Sequence, residues 1–143
     1  MTPYKQLFRH DPGGIQGDCY RTAIGCLLDL PPAYVPHFYR NADISDAEGK
    51  RHANAWLAER GLALISLGLT LPDPLDLTFM ALGSPGLYYL LSGRSRNGTN
   101  HVVVCCGGEI VHDPALDESG IVGPTDVGCY FIEIIVPSRM INR

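Results

Sequence analysis

Long apolar runs are missing from this 143-residue sequence. No segment approaches the roughly 18 consecutive apolar residues of a membrane span, and the polar stretch 1–9 has no apolar run of signal-peptide length. Basic residues are also few, because only 11 lysines and arginines occur, without a basic stripe, in a chain of net charge −4. We therefore expect no nucleic-acid partner, no membrane partner and a cytoplasmic location.

Paired cysteine motifs are missing too. The cysteines are odd in number and form no C-x-x-C pair, which argues against a disulfide framework and against a zinc ribbon; they are Cys19, Cys26, Cys105, Cys106 and Cys129. Tandem cysteines on a strand point to opposite faces, so Cys105 and Cys106 are poorly placed to share a zinc ion. We expect reduced thiols, no metal and no cofactor.

The apolar pattern predicts one domain over residues 1–143 with a helix packed on a sheet. Hydrophobic residues make up 45% of the chain and charged residues 18%, which suits one compact core. Periodicity predicts helices at 18–29 and from Ser45-Asp46 to Gly61, a loop at 71–85, and strands at 62–67, 87–91, 101–106, 109–113 and 130–136. Two helices followed by a mostly antiparallel sheet give an α+β fold.

Cys19 stands at the start of the first predicted helix. Asp18 is a suitable N-cap, and the apolar residues that follow share one helix face. Cys19 lies roughly 110° from the centre of that face, at the rim of the core where a cleft can reach it. Unpaired N–H groups and the helix dipole favour a thiolate there, whereas Asp18 opposes part of that effect. A partner base is therefore expected.

His101 and Asp113 are the candidates to complete such a site. A cysteine nucleophile needs a base, a group that orients the base, and donors for the oxyanion. His101 follows the turn-prone segment 97–100 and begins a strand of three valines, and Asp113 ends the next strand directly before Pro114. The carboxylate of Asp113 can thus reach the imidazole, which in turn can serve Cys19.

The hairpin between the two strands tests this pairing. With a plain two-residue glycine turn, Val102 lies opposite Asp113, so that Asp113 and His101 fall on opposite faces. A three-residue connection over Gly107–Glu109, with a glycine in the left-handed region, sets Val103 opposite Asp113 and restores a common face. We predict a bulge in that connection; twist at the strand end is the alternative solution.

Each candidate also has a structural interpretation. A lone buried cysteine usually serves as a small core residue, and Cys26, on the same side of the helix as Cys19, is interpreted in that way. His112 faces away from His101 in the bulged register and is interpreted as a structural or surface histidine. His37, between Pro36 and Phe38, could line the cleft, but packing is the preferred interpretation.

These residues resemble the papain-like cysteine peptidases, especially the branch that includes the double-glycine peptidases of bacteriocin exporters. The chain is also similar, from about Pro3 to Pro114, to small phage and bacterial proteins through the segments Gly-Asp-Cys-Tyr-Arg-Thr-Ala-Ile, Leu-Asp-Leu-Pro-Pro, Val-Pro-His-Phe and Gly-Gly-Glu-Ile-Val-His-Asp-Pro. The resemblance implies a papain-like fold, a bacterial or phage-infected host cell, and a triad of Cys19, His101 and Asp113.

The resemblance also implies a glutamine before the cysteine, whose amide helps the cysteine N–H to bind the oxyanion. Gln6 and Gln16 are both candidates. Gln16 is only three residues before Cys19, too close to reach back around the helix start, whereas the loop after Gln6 can return its side chain. Gln6 is therefore preferred, with Gln16 as the alternative.

Three classes of function follow from the sequence. The first is a thiol hydrolase that cuts a peptide, isopeptide or related amide in a peptide or protein substrate through an acyl-enzyme on Cys19. The second passes the acyl group to an amine, as a transglutaminase-like enzyme or another acyltransferase does. The third is a non-catalytic binding module on the same fold. The intact set of Cys19, His101 and Asp113 favours an enzyme.

Overall fold

The computed structural model describes residues 1–41 and 43–141; Ala42, Asn142 and Arg143, which fall within the predicted domain of residues 1–143, lie outside the described residues. The helices are α1 (Cys19–Leu28), α2 (Asp46–Ala58) and α3 (Thr78–Gly83), and the strands are β1 (Leu62–Leu69), β2 (Tyr88–Arg94), β3 (Asn100–Cys106), β4 (Glu109–His112) and β5 (Tyr130–Pro137). Short 3₁₀ turns cover Pro32–Tyr34 and Ser138–Met140. The expectation of an α+β fold is confirmed.

The strands form one antiparallel sheet in the order β1-β5-β2-β3-β4. Strand alternation divides the buried side chains between its two faces. On one face, Val102 and Val104 pack with α1 and α2. On the other, Val103 and Cys105 pack with residues of the segment 69–80. Within the described residues, no helix is long and apolar enough to cross a lipid bilayer.

Helix α2 begins where its sequence signals predict. The Ser45 side chain accepts a hydrogen bond from the Glu48 N–H at 3.2 Å and so caps the helix. Ala53 and Leu57 are fully buried on its inner face. Gly61, at φ +70°, turns the chain into β1, in the left-handed conformation that glycine adopts without strain.

Helix α3 corrects the predicted loop at 71–85. Its start is organised by Asp76, whose carboxylate accepts a hydrogen bond from the Thr78 N–H at 2.8 Å. Leu77 is buried and Met80 packs beside it against the outer face of the sheet. Six residues are too few to show helical periodicity, so the pattern resembled a loop.

The hairpin of β3 and β4 contains the predicted bulge at a different place. Cys106 pairs with Glu109 across a two-residue glycine turn, in which Gly107 has φ +55°. The register then shifts, so that Val104 pairs with His112 and Val111 is the extra residue. The register that places His101 and Asp113 on one face is therefore confirmed. The bulge, however, lies within β4 and not in the turn, so its predicted position is wrong. β4 is an edge strand, which can accommodate an extra residue without breaking a second ladder.

Candidate active site

Cys19 is the first residue of α1, as the apolar pattern predicted. Its side chain is half-buried and lines cavities at the helix N-terminus. The N–H of a first helical residue has no intrahelical acceptor, so it is available to an external oxygen. The cap hypothesis for Asp18 is wrong in part, because Asp18 occupies the cap position but its side chain makes no capping hydrogen bond to the helix backbone. Its carboxylate binds the N-terminal segment instead.

His101 and Asp113 meet at the beginning of β3. The His101 Nε2 lies 2.6 Å from Asp113 Oδ1, and the two side chains are 6% and 11% exposed. Asp113 is fixed in turn, since Oδ1 accepts from the Ala115 N–H and Oδ2 from the Gly120 N–H, both at 2.8 Å. With Nε2 committed to Asp113, Nδ1 is the ring nitrogen left to interact with the Cys19 sulfur.

Electrostatics at this pair favour an imidazolium. Burial alone lowers the pKa of His101, but hydrogen bonds with Asp113 and Cys19 and the charges of both raise it to about 10. Burial alone raises the pKa of Asp113, but the bonds from His101, Ala115 and Gly120 leave that pKa below its ordinary value. The pair is therefore a buried cation beside a carboxylate, with the second ring nitrogen available to the Cys19 thiol.

Two cavities meet at the Cys19 thiol and the His101 ring. The first, of about 410 Å³, is walled by the rings of Tyr20, Tyr39 and Phe131 and is called here the aromatic cavity. The second, of about 380 Å³, is called the polar cavity, because its lining includes the polar residues Arg9, Asn97, Thr99, Asp117 and Ser119. Both volumes lie in the range of ligand-binding pockets.

Gln6 lies on the wall of the polar cavity together with Cys19 and His101. Its side chain is buried, and its Nε2 donates a 2.6 Å hydrogen bond to the Phe8 carbonyl. An amide nitrogen carries two hydrogens, so one N–H remains after that bond. The structure thus brings Gln6 to the same cavity as the thiol, although the two residues are 13 positions apart in the chain.

Gln16, the alternative, lines both cavities. Its backbone is fixed, because its carbonyl oxygen lies 2.8 Å from His37 Nε2. Its side-chain amide makes no hydrogen bond to the residues that the structure describes. An oxyanion donor works best when held in place before the reaction, so the fixed amide of Gln6 is the better candidate.

The remaining histidines and cysteines near the site have structural contacts. His112 Nε2 lies 2.6 Å from the Tyr4 carbonyl oxygen, so this ring holds the N-terminal segment. Cys26 is fully buried and accepts from the Tyr4 N–H at 3.3 Å. Burial lowers the pKa of His37 and raises the pKa of Cys105, the latter to about 12. Across residues 1–41 and 43–141, no cluster of three potential metal ligands occurs.

Sequence reasoning missed the polar groups that support this arrangement. Lys5 Nζ donates to the carbonyl oxygens of Asp113 and Ala115 at 2.8 and 3.0 Å, which ties the N-terminal segment to the backbone around Asp113. Glu133, fully buried, binds Tyr20 and Lys50 below the aromatic cavity. For the contacts of Glu133, the only sequence signal was a charged residue within the apolar strand at 130–136.

Comparisons of the chain with protein-family models, with curated proteins and with solved structures each give no match.

Proposed function

We propose that this protein is a thiol hydrolase that cleaves amide bonds through an acyl-enzyme on Cys19. The observation that carries the proposal is the His101 ring, which is held by Asp113 at 2.6 Å through one nitrogen and interacts with Cys19 on its other side. A base oriented by a carboxylate and facing a thiol at a helix N-terminus is the arrangement that activates a cysteine nucleophile.

In the first half-reaction, the Cys19 thiolate attacks the carbonyl carbon of the substrate amide. The carbonyl oxygen becomes an oxyanion, for which the Cys19 N–H and the free N–H of Gln6 are the donors. As the carbon–nitrogen bond breaks, the imidazolium of His101 gives its Nδ1 proton to the leaving amine. The products of this step are a free amine, a neutral imidazole and a thioester on Cys19.

The second half-reaction returns the enzyme to its starting state. Neutral His101 takes a proton from a water molecule as that water attacks the thioester carbonyl. The carbon–sulfur bond then breaks, which releases a carboxylic acid and restores the thiolate and the imidazolium. Asp113 stays ionised throughout, because its hydrogen bonds hold its pKa low, and it keeps the ring in the same orientation.

The cavities indicate the class of substrate. Because the thiol lies where the aromatic and polar cavities meet, a bound substrate has room on both sides of its reacting carbonyl. Extended peptides, proteins and isopeptide-linked chains carry further groups on both sides of the reacting carbonyl and therefore suit this arrangement. The rings of Tyr20, Tyr39 and Phe131 suit an apolar side chain on one side, and the polar cavity suits hydrogen-bonding groups on the other.

The papain-like resemblance of the sequence is in keeping with this proposal. Its support in the structure is an N-terminal helix that begins with the cysteine and packs on an antiparallel sheet that carries the histidine. Transfer of the acyl group to an amine is the second candidate, since a cavity beside the thioester can admit an amine in place of water. Product analysis with added amine distinguishes transfer from hydrolysis.

Acylation by p-nitrophenyl acetate tests the proposal. We expect a burst of p-nitrophenol and one acetyl group on Cys19, located by mass spectrometry of peptides. Cys19→Ser should abolish the burst, whereas Cys106→Ser, a matched change at another half-buried thiol, should preserve it. Acetylation spread evenly over the five cysteines, or absent from Cys19, would contradict the proposed function.

A further inference from the structure

The carboxylate of Asp18 is fully buried directly before the proposed nucleophile. Its Oδ1 accepts from the Phe8 N–H at 2.8 Å and its Oδ2 from the Leu7 N–H at 3.2 Å. Oδ2 also accepts from Arg21 Nε at 2.9 Å, so the buried negative charge has a cation as partner. A buried charge that binds two consecutive backbone amides of a distant segment fixes that segment firmly.

The segment that Asp18 binds is the one that carries Gln6. The Gln6 N–H donates to the Pro114 carbonyl at 2.9 Å, and the Gln6 Nε2 donates to the Phe8 carbonyl at 2.6 Å. The orientation of the Gln6 amide therefore depends on the position of Phe8. Phe8 is in turn held by Asp18 through its N–H.

These contacts form one continuous chain of bonds from the residue before the thiol to the residue after the triad carboxylate. It runs from Asp18 to Phe8, from Phe8 to the Gln6 side chain, and from the Gln6 backbone to Pro114. A shift of about 1 Å in a positioned group can cost about a hundredfold in rate, so the placement of the amide matters to the reaction.

We propose that Asp18 is a positioning residue, which holds the segment of residues 6–8 so that the Gln6 amide is aimed at the oxyanion. The inference rests on the proposed function. Asp18 lines neither cavity, so it acts through Gln6. Arg21 pairs with the Asp18 carboxylate through its bond to Oδ2, and it is itself held by the Val35 carbonyl at 3.1 Å.

The experiment compares two reactions of the same thiol. Acetylation by p-nitrophenyl acetate passes through an oxyanion, whereas alkylation by iodoacetamide is a direct displacement at carbon that forms none. We expect Asp18→Asn to slow acetylation of Cys19 by about tenfold to a hundredfold and to leave alkylation within about twofold of the wild type. A general loosening of the fold would slow both reactions together.

A double variant shows whether Asp18 acts through Gln6. Gln6→Ala should slow acetylation by about a hundredfold or more. If Asp18 only positions Gln6, adding Asp18→Asn to Gln6→Ala should cause no further loss. Multiplication of the two separate losses would overturn the inference.

Asp29→Asn is the matched control, because Asp29 also binds the N-terminal part of the chain, but nearer its start, by accepting from the Thr2 hydroxyl at 2.7 Å. We expect it to change neither reaction. Thermal melts check folding. If Asp18→Asn does not melt cooperatively, Arg21→Lys takes its place, because it keeps the charge and removes the Nε bond to Asp18. We expect Arg21→Lys to show slower acetylation with unchanged alkylation.

Failure of the proposed function and failure of the inference about Asp18 give different results. A wild type that is not acetylated at Cys19 contradicts the proposed function. A wild type that is acetylated, with Asp18→Asn or its substitute Arg21→Lys reacting at the wild-type rate, contradicts only the role of Asp18.

Discussion

Two acid–base pairs lie close to the aromatic cavity, and each joins a cation to a largely buried carboxylate. His101 is paired with Asp113 at 2.6 Å, and Lys50 is paired with Glu133 at 2.8 Å. Glu133 also accepts from the Tyr20 hydroxyl at 2.7 Å. In both pairs the carboxylate is largely removed from water, which is costly unless it is well bonded.

The two pairs differ in the further contacts that the cation makes. The Lys50 ammonium is occupied by Glu133 and by the Ser66 hydroxyl, and it lies 4.1 Å from the centre of the Phe131 ring. The ring of His101 binds Asp113 through Nε2, and its other nitrogen is available to the Cys19 thiol. The Lys50 pair therefore holds helices to the sheet, whereas the His101 pair can move a proton.

The largest expected effect comes from removing the base. His101→Ala should lower turnover by about 10²- to 10⁴-fold, because a positioned acid–base group contributes about that much. His112→Ala is the matched control, since His112 binds only the Tyr4 backbone among the described residues, and it should retain most activity. Steady-state kinetics on variants with cooperative melts make the comparison. Activity lost in His112→Ala and kept in His101→Ala would reverse the assignment.

Breaking the other pair should affect stability instead. Glu133→Ala leaves Lys50 and the Tyr20 hydroxyl without their buried partner, and we expect a loss of about 3–5 kcal/mol in the free energy of unfolding. Urea denaturation measures the loss, with Glu59→Ala as control, because the exposed pair of Glu59 and Arg60 should contribute less than about 1 kcal/mol. An equal effect of the two substitutions would show that the Glu133 pair does not support the fold.

Replacing Asp113 should reduce turnover less than replacing His101. Asp113 orients and polarises the ring but carries no proton in the reaction. Asp113→Asn keeps an oxygen that can accept from the ring N–H, so it should retain more activity than Asp113→Ala, and both should exceed His101→Ala. Kinetics on folded variants test the order. A fully active Asp113→Ala would remove Asp113 from the site.

A further expected effect is a pH dependence of stability. The pKa of His101 is about 10 in the folded protein, above its ordinary value of 6.5. Its contribution to stability is therefore full below pH 6.5, declines as the pH rises, and is lost once the pH passes about 10. Urea midpoints at several pH values should fall over this window in the wild type. The same fall in His101→Ala would assign it to another group.

Local patterns predicted the elements of this fold well. The apolar spacing after Cys19 and the Ser45 cap each reflect interactions within a few residues of sequence, so α1 and α2 begin where expected. The six-residue α3 was missed because its packing on the sheet, rather than its periodicity, stabilises it. The hairpin register followed from the requirement that His101 and Asp113 share a face.

Long-range polar contacts could not be predicted in the same way. Asp18 was interpreted as a helix cap because that is its best local use, but Leu7 and Phe8, brought near by the fold, take both of its oxygens. The buried pair of Lys50 and Glu133 joins residues 83 positions apart, and nothing in either segment identifies its partner. The bulge likewise moved to Val111, since an edge strand tolerates it there.

The pH dependence of alkylation at Cys19 tests most directly whether His101 activates the thiol. Because Cys19 lies at a helix N-terminus beside the imidazolium of His101, we expect it to react with iodoacetamide at pH 6 much faster than an ordinary thiol does. An ordinary thiol with a pKa of roughly 8.5 reacts far more slowly at the lower pH. Alkylation of Cys106, another half-buried thiol, is measured in the same samples by mass spectrometry of each peptide. A Cys19 profile that coincides with that of Cys106, and that His101→Ala does not change, would contradict the thiolate–imidazolium pair.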